Sequence, residues 1–360
     1  MHKSFLFGFL IVAVAASAQQ KIDFESYNPP STLQVAKHPL TRAKFPFIDV
    51  HNHQYGMHTM DLNMLTSEMD KLNMRVMVNL SGGSGNQLKD AVQNGNQNKP
   101  GRFIVFANVD FKNVGEPGWG EKAAKQLEAD VKNGANGLKI FKNLGFSVKD
   151  ITGKRVIVDD ARLDAIWKKA GELKIPVLIH TADPKSFWDP LDNSNERWLE
   201  LIINPNRKRG ADNPAPFDTL IAEQHNLFKK HRNTTFIAAH FGWYPNDLNK
   251  LSTILDDMPN VVVEFGAVIA ELGRQPKMAK AFFTKYQDRI LFGKDSWVPS
   301  EYATYFRVLE TADEYFPYHK KYHAYWAMYG MELPDNILKK IYYKNALRII
   351  PNLDKSGWPE

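Results

Sequence analysis

The chain has 360 residues, no cysteine and eleven histidines; it is 43% hydrophobic and 24% charged, with a formal net charge of +6. This is the profile of a globular protein, so a disordered chain, a collagen-like fibre and a disulfide-stapled mini-protein are excluded. Thiolate nucleophiles, zinc fingers, iron–sulfur clusters and CxxC redox pairs are excluded too, and any metal must be held by nitrogen and oxygen.

Met1–Ala18 carries one lysine ahead of an apolar run, Phe5–Ala16, and ends Ala16-Ser17-Ala18, the small-x-small form that signal peptidase accepts. The run is shorter than the roughly 20 residues a membrane span needs. Residues 1–18 read as an export signal. The mature protein is then expected in the periplasm or outside the cell, with no stable membrane association. Residues 19–44 form an N-terminal extension.

Short apolar runs then alternate with amphipathic stretches. The runs are Phe45–His53, Arg75–Leu80, Phe103–Asp110, Gly137–Phe141, Pro176–Thr181, Thr235–His240, Val261–Gly266 and Arg289–Asp295. They are rich in Val, Ile and Phe and bounded by Gly, Asn or Pro, as buried parallel strands are. Between them, Leu65–Leu72, Gly120–Lys132, Ala161–Leu173, Phe217–His231, Asn246–Met258 and Lys277–Tyr286 carry apolar residues at helical spacing. Asp160 is placed to cap the third of these, and Pro245-Asn246-Asp247 to open the fifth.

This alternation predicts an α/β fold, a (β/α)8 TIM barrel forming a single domain over residues 45–353, with a tail at 354–360. An open doubly wound sheet is the alternative. Two parts exceed the minimal barrel. The long polar connection Asp183–Pro216 after strand five is expected to be a lid. Ser300–Leu353 is aromatic-rich and expected to be mostly helical, its last helix near Pro334–Ile349 packing across the barrel wall.

Active sites of such barrels lie at the C-terminal ends of the strands. Strand one ends Ile48-Asp49-Val50-His51-Asn52-His53, and side-chain alternation puts Asp49, His51 and His53 on one face. Two imidazoles so spaced can share an ion. Strand five ends in His180, strand six in His240 and strand eight in Asp295, while Lys139 on strand four is in register to point inward. One strand-end histidine is usually a satisfied core polar group. A full set at one rim is not explained that way.

In that order FIDVHNH, VLIHTADP, FIAAHFGW and RILFGKDS resemble the amidohydrolase superfamily, and within it the amidohydrolase-2 branch, which includes aminocarboxymuconate-semialdehyde and resorcylate decarboxylases. The match runs from about Phe45 to Asn345. The resemblance implies that His51, His53, His180 and Asp295 bind one divalent metal, zinc first and manganese next. It makes His240 the general acid/base or an electrostatic partner of the substrate, and Asp295 the group that takes a proton from metal-activated water. Asp49 is either an acceptor that orients a metal-binding imidazole or a buried strand-end carboxylate. Lys139 is a substrate-binding ammonium, a structural ion pair or, as in binuclear members of the superfamily, a carboxylated bridge. Lys294 departs from the small residue usual at its position and is expected to face outward. Trp188 and Trp297 are expected to contact substrate. Tyr55, His58, Asp183, Lys185, Trp243, Glu264 and Arg274 are weaker candidates around the rim.

The resulting expectation is an exported metal-dependent hydrolase acting on an amide, lactone or ester of a small, anionic substrate. The alternative keeps the metal and changes the reaction to non-oxidative decarboxylation. A metal-free lactonase and a non-catalytic exported binding protein are weaker readings, because the polar rim is complete. Nucleic-acid binding is not expected: the densest basic patch, Arg207-Lys208-Arg209, is too short. The aromatic C-terminal region leaves homo-oligomerisation open.

Overall fold

The computed structural model describes residues 21–360, so the expected export signal at 1–18 lies outside the described residues. Residues 21–34 are extended and exposed, with one turn at Phe24–Ser26. The compact body starts at Val35. Within it, the Ala43 amide donates to Leu72 O at 3.1 Å.

All eight apolar runs form strands: β1 (Phe47–Asn52), β2 (Met74–Asn79), β3 (Phe103–Val105, resuming at Ala107–Asn108), β4 (Leu138–Ile140), β5 (Val177–Ile179), β6 (Phe236–Ala238), β7 (Val261–Glu264) and β8 (Ile290–Leu291). Each pairs in parallel with the next. Around Phe106, β3 exchanges β2 for β4 as its partner. The ring closes where Val50 N donates to Phe292 O at 2.9 Å and Asp295 N to His51 O at 2.7 Å. The result is a closed barrel, not an open sheet. Its strands are buried along nearly their whole length, because inner side chains fill the barrel and outer ones meet the helices.

Helices α1 (Asn63–Leu72), α2 (Gly85–Asn98), α3 (Trp119–Lys132), α4 (Asp164–Glu172), α5 (Phe217–Lys230), α6 (Leu248–Asp257) and α7 (Pro276–Lys285) follow the first seven strands in turn. The Asp160 carboxylate accepts from the Arg162 amide at the 3-10 turn that leads into α4, and Asp247 accepts from Lys250 N to cap α6. Helix α2 has no counterpart in the sequence reading. Its buried stripe is only Leu88, Ala91 and Gly95, too thin to register as an apolar period.

The C-terminal region departs from the helical expectation. Helix α8 (Tyr302–Glu310) is followed by irregular chain holding a short antiparallel pair, β9 (Phe316–Pro317) and β10 (Ala327–Met328). Pro317, Gly330 and Pro334 interrupt helix formation there. The last helix, α9 (residues 335–349), contains a π-turn at Lys340–Lys344 and packs on the barrel wall as expected, Ile341 O accepting from Phe292 N at 3.1 Å.

The segment 183–216 folds into short turns and a helix, Trp198–Ile203. Buried Arg197 anchors it, pairing with Glu200 at 2.9 Å and with Glu271 beyond β7 at 2.8 Å. Among the described residues no helix is long and apolar enough to cross a membrane.

Candidate metal centre

The C-terminal ends of β1, β5, β6 and β8 bring His51, His53, His180, His240 and Asp295 together. Asp295 Oδ1 lies 3.4 Å from His51 Nε2 and 3.5 Å from His53 Nε2. His180 Nδ1 and His240 Nε2 are 3.3 Å apart. The other nitrogen of each ring is tied back: His51 Nδ1 to Glu264 Oε1 (2.9 Å), His53 Nδ1 to Ser81 Oγ (2.8 Å), His180 Nε2 to Ala182 O (3.1 Å) and His240 Nδ1 to Gly266 O (2.7 Å). A carboxylate or carbonyl accepts only from an N–H. His51 Nε2, His240 Nε2 and His180 Nδ1 are therefore left with lone pairs turned inward.

His51 Nε2 is buried and has no hydrogen-bond partner. Donor atoms of His51, His240 and Asp295 lie within 4.8 Å of one another. This trio shares His51 and Asp295 with the expected ligand set and adds His240; His53 approaches through Asp295, and His180 through His240. Inward lone pairs around one carboxylate are the donor set a divalent cation of nitrogen and oxygen preference requires. Burial lowers the pKa of His53 to about 4 and lowers those of His180 and His240 as well, which favours the neutral, ligating form of these rings. Burial works to raise the pKa of Asp295, but His51, His53 and His240 overcome it and hold the group ionised.

Glu264, at the end of β7, is the principal support of these side chains. It is fully buried and accepts from His51 Nδ1, from the His240 amide at 2.8 Å and from the Gly266 amide at 2.6 Å. Burial raises its pKa, yet His51 and His240 beside it, with the hydrogen bonds they donate, bring it down to about 2. Room for it exists because residue 293 is glycine: a Cβ there would overlap Glu264 Oε2.

Asp49 is equally buried but touches no imidazole nitrogen. It accepts from the amides of His51 (3.0 Å) and Lys294 (3.1 Å), from Asn52 Nδ2 (3.0 Å) and from the Tyr302 hydroxyl (2.6 Å). It thus holds the ends of β1 and β8 in register, and the carboxylate that orients an imidazole is Glu264. Lys294 points away from the centre, but it is buried and does not face solvent. It is 2% exposed, and its Nζ donates to Ser296 O at 2.8 Å and pairs with Glu301 beneath α8. Lys139 does point inward. It is 1% exposed, its Nζ has no hydrogen-bond partner, and burial lowers its pKa to about 8 against the pull of Asp295 and Glu264.

After β6 the chain takes four successive left-handed residues: His240 (φ 56°), Phe241 (56°), Gly242 (57°) and Trp243 (62°). Each non-glycine there costs about 1–2 kcal/mol. Residues three apart share a face of such a turn, and the Trp243 ring stacks on His240 with centroids 4.6 Å apart. Trp243 is thus the tryptophan against the centre. Trp188 instead donates Nε1 to Ala215 O at 2.9 Å and packs on Phe146 and Phe217, and Trp297 packs on Tyr302. Exposed Tyr55 stacks on His53.

A family model described as amidohydrolase, of the amidohydrolase-2 type, matches residues 48–351. No curated protein matches by sequence. Among solved structures, a 2,6-dihydroxybenzoate decarboxylase complexed with 2,6-dihydroxybenzoate superposes with a TM-score of 0.55 at 13% identity, covering 85% of this chain and 99% of that one. A putative amidohydrolase from Staphylococcus aureus gives 0.52 at 16% identity, covering 84% and 99%. A dihydroxybenzoic acid decarboxylase from Polaromonas sp. JS666, with bound manganese and the inhibitor 2-nitroresorcinol, gives 0.51 at 16% identity, covering 85% and 96%. At these identities the likeness establishes the shared barrel. With the family model spanning nearly the whole barrel, the chain belongs to the amidohydrolase family and is an enzyme of its metal-dependent hydrolase or decarboxylase kind.

Proposed function

We propose that this enzyme is an exported hydrolase that cleaves a C–N or C–O bond in a small amide, lactone or ester. The observation that carries the proposal is the Asp295 carboxylate, held ionised, 3.4 Å from His51 Nε2 and 3.5 Å from His53 Nε2. His51, His53, His180 and Asp295 would hold one divalent cation, zinc or manganese. When bound, the cation supplies Lewis-acid chemistry, polarising a substrate oxygen and acidifying water. Asp295 accepts the proton of the attacking water. His240 Nε2 takes that proton from Asp295, the donor atoms of the two residues lying within 4.8 Å of one another, and delivers it to the leaving nitrogen or oxygen. Glu264 keeps His51 in the tautomer whose Nε2 is free. Lys139 offers its ammonium to an anionic group of the substrate, while Trp188 and Trp297 would act from the surrounding loops.

The unpaired Lys139 favours a second reaction at the same residues, non-oxidative decarboxylation of a small carboxylic acid, since a buried ammonium without a partner is a receptor for a carboxylate. In a binuclear alternative, carboxylated Lys139 would join His51, His53, His180, His240 and Asp295 in holding two divalent cations. Metal content per chain separates these arrangements.

The test combines metal analysis of the purified mature protein with a panel of lactones, esters, amides and aromatic carboxylic acids, reading acid release against carbon dioxide release. One metal per chain is expected, with hydrolysis lost on chelation and restored by zinc or manganese. Protein without stoichiometric metal, whose metal content and stability are untouched by His180→Ala, would refute the metal reading. Carbon dioxide release without hydrolysis would transfer the assignment to decarboxylation. Export is checked by N-terminal sequencing of secreted material, expected to begin near Gln19.

A further inference from the structure

A cavity of about 360 Å³ lies beside this centre, walled by the 183–216 segment, the turn after β6 and the loop after β7. Trp243 is the wall it shares with the centre, for the indole stacked on His240 also lines the cavity. Trp243 is 8% exposed, and its Nε1–H is buried without an acceptor. A buried N–H left unpaired is costly, so the position calls for an acceptor oxygen.

The charges lining the cavity cancel in pairs: Lys185 with Asp189 at 2.8 Å, Arg197 with Glu271 at 2.8 Å, and Arg274 with Glu196 at 2.8 Å. No surplus charge is left to hold an ion. Ser186 and Asn246 add neutral hydroxyl and amide groups around the one aromatic wall. An aromatic side chain ringed by self-neutralising ion pairs and by hydroxyl and amide groups suits an uncharged ligand with an apolar face and many hydroxyls.

We infer that this cavity is a subsite for the uncharged, hydroxyl-rich part of the substrate, a monosaccharide ring in chemical class, with Trp243 joining it to the reaction centre. The inference rests on the proposed function for its place beside the chemistry, and on the cavity lining for its ligand.

The metal-loaded mature protein is titrated calorimetrically with methyl glycosides of glucose, galactose, mannose and xylose, and with benzoate as a charged planar control. At least one glycoside is expected to saturate with a Kd on the order of millimolar, with benzoate not competing. Asn246→Trp, which fills the cavity, weakens that glycoside by about tenfold or more. Trp243→Phe keeps the stack, removes the N–H and weakens it by about fivefold. Chelation leaves glycoside binding within about twofold, since no proposed metal ligand lines the cavity. The inference is overturned if no glycoside saturates below roughly 100 mM, if both variants bind like the parent, or if benzoate displaces the glycoside. Glycoside binding in a protein with no stoichiometric metal would sink the hydrolase reading and leave the subsite standing.

Discussion

A single carboxylate, Glu264, sets the tautomer of His51, holds the amide of His240 and closes the turn at Gly266. Glu264→Gln preserves size but turns half of the acceptor into a donor facing N–H groups. Metal affinity is expected to fall about 10- to 100-fold, measured by chelator competition, as for other partners that orient a ligating histidine. Unchanged affinity would mean that His51 is not held through Nδ1. His51, His53, His180, His240 and Asp295 are legible in the sequence because each ends an apolar run. Glu264 ends one too, but its importance comes from His51, 213 residues away. Nothing local distinguishes it from Asp49, two residues before His51, which serves the backbone instead.

At the scale of elements, the left-handed turn 240–243 is the unusual piece. It persists because Phe241 is fully buried against Phe265, Phe282 and Phe283, so core packing offsets the backbone strain. Gly242 shares the same φ, but a Cβ on it would meet nothing nearer than Ala238 Cβ at 3.8 Å. Gly242→Ala should therefore cost only the conformational penalty, about 1–2 kcal/mol in denaturant unfolding. A loss well beyond that would show that the turn is constrained by something other than its φ values. The strands and most helices could be read from periodicity, with Asp160 and Asp247 marking two helix starts. Helix α2 escaped because its polar sequence buries so little, and the irregular 311–334 region because its order depends on long-range contacts such as Trp326 Nε1 to Ala270 O at 3.0 Å.

Across the whole molecule, Arg197 fastens the 183–216 segment to the barrel. Arg197→Met leaves Glu271 and Glu200 buried with less compensation, and about 3 kcal/mol of stability should be lost. Faster hydrogen exchange is expected over 183–216; exchange unchanged there would show that the anchor lies elsewhere. Acid sensitivity is a second global property. His225 is pushed down to about 4 by burial and by nearby Lys229 and Lys250. Its unfolded value is about 6.5. Between those pH values the unfolded chain takes a proton that the fold resists, so this contribution is intact above about pH 6.5 and drains away as pH falls toward 4. His225→Gln should flatten the decline of Tm over that window. His319, also lowered to about 4 by burial, keeps part of the slope.

The sequence by itself determined the barrel, the rim and the imidazole–carboxylate character of the centre. Strand alternation, burial runs and the absence of thiol are properties of neighbouring residues. Only the tertiary structure decided that Glu264 orients His51, that Lys294 is buried against Glu301 at the start of α8, that Lys139 Nζ has no hydrogen-bond partner, and that Trp243 stands between the centre and a cavity. Those facts depend on which distant segments share a few ångströms of space, and no local pattern encodes that.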